Sequence, residues 1–141
     1  MLGEAGEPGR MDDAARGLLL GLAAGEAAGA AEGAAPSPLP LTRHTLAVAA
    51  SLASSGRPVP DDLVRRWLEL PKEQAPRAAS TTGVALALAR RGVPTVELGP
   101  AAARSAIGPA TDLPLCRCLP IAVAAHRSGG AVRAWAELVA G

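Results

Sequence analysis

The chain has no phenylalanine and no tyrosine, and its only tryptophans are Trp67 and Trp135. Ala, Leu and Val must therefore fill the core, and each buries little area, at roughly 25 cal/mol per Å². The same scarcity removes the aromatic platforms on which single-strand nucleic-acid binders stack bases. Net charge is +1 with acids and bases interspersed, so no basic face is present for a phosphate backbone. Cysteine is limited to Cys116 and Cys118. That spacing rarely closes a disulfide, and two thiols alone make a poor zinc site. The two histidines, His44 and His126, lie in separate segments, so inert thiols are expected. No apolar run approaches the ~20 residues needed to span a bilayer. The short run at 18–24 follows Arg16, but Glu4, Glu7, Asp12 and Asp13 lie ahead of it, which spoils the basic region of a secretory signal. A soluble cytoplasmic protein is expected, with no nucleic-acid partner and no membrane.

What is present is enough for one folded domain. The 141 residues are 49% hydrophobic and 19% charged. Residues 1–10, rich in Gly, Glu and Pro, read as a disordered leader, and 11–141 as a single domain. Asp12 or Asp13 is placed to cap a first helix, whose Ala15, Leu18, Leu19, Leu22, Ala23 and Ala27 share one face. Gly17, Gly21, Gly25 and Gly29 recur every four residues, and such a smooth ridge predicts close packing against a neighbouring helix. Further helices are predicted over 43–54 with Gly56 as its stop, 61–70 capped by Asp61, 80–91 stopped by Gly92, 99–107, 115–126 and 131–140. Residues 93–96 read as a short extended segment. Almost nothing alternates with period two, so the expected class is all-α.

The stretch Thr42-Arg43-His44-Thr45 stands at the head of an apolar run. Thr42 is a plausible N-cap, which puts Arg43 and His44 in the first turn. Cations are disfavoured at that end of a helix dipole and carboxylates favoured. Acids would be at home there.

Three segments, in order, carry a resemblance. The first is Arg16-Gly-Leu-Leu-Leu-Gly-Leu-Ala-Ala-Gly-Glu-Ala-Ala-Gly29. The second is Thr42-Arg43-His44-Thr45 with its apolar helix, followed by Pro60-Asp61-Asp62-Leu63 and Arg66-Trp67-Leu68. The third is Ser80-Thr81-Thr82-Gly83, with Cys116-Arg117-Cys118-Leu119-Pro120-Ile121 further on. Together they resemble the ADP-ribosylglycohydrolase family, which includes the dinitrogenase reductase-activating glycohydrolases. Its opening helix reads G-x-L-x-G-x-A-x-G-D-A-x-G, its second motif T-D-D-T, and its later segments T-T and G-N-G-x-x-M-R-x-x-P-L. The resemblance implies a helical bundle, of which this chain matches the N-terminal part. It also implies two metal ions, usually magnesium, held by T-D-D-T and a late acidic motif beside an ADP-ribose ligand.

The chain departs from that pattern where the chemistry lies. Arg43 and His44 replace the two metal-binding acids. A guanidinium is a permanent cation, and an imidazole is a poor magnesium ligand. The G-D step becomes Gly25-Glu26, the expected glutamate falls on Gly33 with Glu32 one residue short, and G-N-G-x-x-M becomes Thr111-Asp112-Leu113-Pro114-Leu115-Cys116. The sequence stops at Gly141, before a second acidic motif. Glu26 and Glu32 are the residual catalytic candidates. Thr42, Arg43, His44, Thr45, Thr81, Thr82, Asp112 and Arg117 are the candidate ligand-binding residues. No metal ligands and no cofactor are expected, because the family's magnesium ligands are not retained. The expected function is a truncated, degenerate and non-catalytic relative: a binding or protein-interaction module, with an ADP-ribose-like ligand possible. The alternatives are a metal-dependent ADP-ribosyl hydrolase completed by a partner chain, and a decayed gene product. Missing late helices would leave apolar faces of the Thr42 and Ser80 helices open, including Leu46, Val48, Leu52, Val84, Leu86 and Leu88, so a homo- or hetero-oligomer is expected.

Overall fold

A computed structural model describes residues 8–31, 40–72, 75, 76, 78, 80–105 and 113–128. Among them are six α-helices and no strand, in agreement with the all-α reading. They are α1 (Pro8–Ala31), α2 (Pro40–Ser55), α3 (Pro60–Leu68), α4 (Thr81–Arg90), α5 (Thr95–Ser105) and α6 (Leu113–Ser128). Residues 8–10 of the expected leader belong to α1. The expected final helix at 131–140 lies outside the described residues. No described helix is long and apolar enough to cross a membrane.

Helix α2 is the centre of the bundle. It packs most extensively on α6 and also meets α1 and α3. Its buried face carries Thr42, His44, Thr45, Ala47, Val48, Ser51 and Leu52. Val48 and Leu52 join Leu63 and Trp67 of α3, Leu86 of α4 and Ile121 of α6 in one core. Five of these six residues are aliphatic, as the scarcity of aromatics requires. Gly56 closes α2 at φ +68°, with its N–H donating to the Leu52 carbonyl at 2.8 Å. A side chain there would strain the left-handed backbone, so glycine is the natural stop.

Local chemistry sets the other ends. Ser80 caps α4, its Oγ accepting from the Gly83 N–H at 3.1 Å, and Gly92 follows α4 at φ +84°. In α3, Pro60 occupies the first turn and Val59 the cap position, without a side-chain bond. Asp61, expected as the cap, lies inside the first turn with Asp62, where both carboxylates face the positive end of the dipole. Asp62 accepts from Arg65 and from Arg66, the latter at 2.7 Å. Those bonds, Arg66's foremost, hold its carboxyl down at about pKa 2.

Two expectations are corrected. Residues 95 and 96 are not extended, because α5 starts at Thr95 and runs through Gly99-Pro100. Leu98 and Ala102, one turn apart, are both buried and bind the helix to its neighbours, so tertiary packing overrides the breakers. Pro100 withholds one bond from the Val96 carbonyl, and Val96 lies on the surface at 83% exposed. The second correction concerns α1. Its inner face does carry Ala15, Leu18, Leu19, Leu22 and Ala23, all half-buried. Ala27 is exposed, and Gly17, Gly21, Gly25 and Gly29 point outward, with nothing within 4 Å of a Cβ built at any of them. The glycine ridge packs on no described helix of this chain.

The α2 and α4 faces expected to be open are mostly covered as well. Val48, Leu52 and Leu86 are buried, Val84 and Leu88 are half-buried, and only Leu46 is exposed, at 42%. Helices α6 and α3 cover α2, and α5 and α3 cover α4. Among the described residues, an apolar groove of about 490 Å³ lies between α1, α2 and α6, lined by residues such as Leu18, Leu19, Leu52, Pro120 and Val123.

Candidate functional site

Thr42 is not the N-cap. Helix α2 begins at Pro40, two residues earlier, so Arg43 and His44 lie past the first two positions. The acid that belongs at this dipole end comes from another helix. Glu26 of α1 reaches across, and its Oε1 accepts from the Leu41 N–H at 2.8 Å. Its Oε2 accepts from the Thr42 N–H at 3.0 Å and from the Thr42 hydroxyl at 2.8 Å. A carboxylate in this position satisfies two of the orphan donors of α2 and complements its dipole. Glu26, a catalytic candidate by sequence, is thus a cap in trans with both oxygens engaged.

One turn on, three of the candidate residues converge. His44 is fully buried, and Arg117 and Thr82 are 4% and 8% exposed. The Arg117 Nη2 donates to Thr82 Oγ1 at 3.1 Å and lies 3.2 Å from His44 Nδ1. A guanidinium has no acceptor, so His44 Nδ1 carries the lone pair of a neutral ring. The Arg117 Cζ lies 4.2 Å from the centroid of the Trp67 ring, a cation–π contact. The His44 ring stacks on that same Trp67 at 5.8 Å between centroids, and the indole N–H donates to the His44 carbonyl at 3.3 Å. Thr45 lies alongside, its hydroxyl 2.8 Å from the Leu41 carbonyl and 3.2 Å from the Cys116 carbonyl. Four helices therefore meet here: α2, α3, α4 and α6.

The electrostatics of this cluster are unusual. Burial pushes the Arg117 guanidinium down to about pKa 10, which still leaves it charged at neutral pH. No carboxylate among the described residues pairs with it. Its Nε is buried and has no hydrogen-bond partner among them. Burial also pushes the Cys118 thiol up, against the opposing pull of Arg117, so it stays a thiol. Cys116 is buried and Cys118 is half-buried.

The other candidates fall elsewhere. Arg43 and Thr81 are exposed, and Glu32 and Asp112 lie outside the described residues. Sequence reasoning did not count Trp67 among the candidate site residues, though it is the plate on which His44 and Arg117 rest. Its place beside the Arg66 of the second motif was the available signal. Among the described residues no three His, Cys, Asp or Glu side chains come together in a way that suits a metal ion. The donor set here also fits magnesium poorly: a fixed cation beside an imidazole nitrogen, and a glutamate whose oxygens already hold a helix end. Comparison with protein-family models, with curated proteins and with solved structures finds no match for this chain.

Proposed function

We propose that the chain is an ADP-ribosylglycohydrolase-like protein that has left catalysis behind and works as a binding or interaction module. One observation carries this reading. His44, which stands where the resemblance implies a metal-binding acid, meets Thr82 and Arg117, far apart in sequence, at a single buried point, and the charge at that point is a cation. Catalysis by two hard metal ions asks for several carboxylate oxygens. Here the available carboxylate, Glu26, closes the N-terminus of α2, and the cluster is locked by a guanidinium on an indole ring. A site built this way suits recognition of an anionic group better than hydrolysis of a glycosidic bond.

Calorimetric titration with ADP-ribose, with and without magnesium, tests the reading. Binding that does not depend on magnesium, with no release of ribose-linked product, is the expected result. Magnesium-dependent turnover overturns it.

The interaction half of the reading needs a surface. The α2 and α4 faces are mostly covered, and apolar surface is offered by the outer face of α1, with Leu20 at 69% exposed, and by the groove between α1, α2 and α6. We place self-association there. Light scattering at micromolar concentration reads it, and a sharp monomer mass across the concentration range removes it.

A further inference from the structure

We draw no further inference here: the strongest candidate, the apolar groove between α1, α2 and α6, carries nothing beyond the self-association already placed there, because nothing in the structure shows what covers it.

Discussion

At the scale of single residues, two charged groups carry the account. Arg117 is a buried cation with no carboxylate beside it among the described residues, and what holds it is a ring face, a hydroxyl and a ring nitrogen. Apolar replacement of buried charges is often neutral or stabilising. Arg117→Met is therefore expected to melt at or above the wild-type temperature in chloride buffer. A fall of more than ~5 °C would mean that the guanidinium is a net structural support. Glu26 is the opposite case, a charge with three good donors. Losing a capping carboxylate costs about 1–2 kcal/mol. Glu26→Ala should unfold at correspondingly lower denaturant, and Glu26→Gln, which keeps one acceptor, should recover part of the loss. Asp62 adds a pH dependence. Its folded-state pKa is depressed to about 2, so its contribution is complete above the ordinary carboxylate range and is lost as pH falls from about 4 towards 2. Acid titration of Asp62→Asn should show a shallower fall in stability across that window than wild type.

At the scale of elements, the helix ends that are set locally were legible in the sequence, and those set by a distant partner were not. Ser80, Gly56 and Gly92 act within one turn of themselves, through a hydroxyl and two left-handed backbones, so local spacing reveals them. The start of α2 was not legible, because its cap is supplied by Glu26, fifteen residues before Leu41. Helix α5 was misread for a similar reason: Gly99-Pro100 breaks a pattern locally, while the burial of Leu98 and Ala102 is decided by the neighbours of α5. The convergence of Thr82 and Arg117, 35 residues apart, was suggested by the family resemblance alone. The glycine ridge of α1 was taken for a packed seam, and it is open. Since a Cβ at Gly21 meets nothing, Gly21→Ala should raise stability by up to ~1 kcal/mol through helix propensity and a less entropic unfolded chain. Denaturant melting of the variant measures this, and a loss of stability would show that the ridge is packed in solution.

At the scale of the whole molecule, a bundle poor in aromatics gathers its core around α2 and leaves its apolar opening on the side of α1. The opposite end of α2 gathers polar groups at Arg117, His44 and Thr82. Binding and self-association would then use different faces, one cationic and one apolar. The central proposal is that no magnesium is held where the family resemblance implies it, because Arg43 and His44 stand in place of the two acids. Calorimetric titration of the protein with magnesium at millimolar concentration measures this most directly. The account predicts no saturable isotherm. A saturable isotherm that Glu26→Ala abolishes would contradict it.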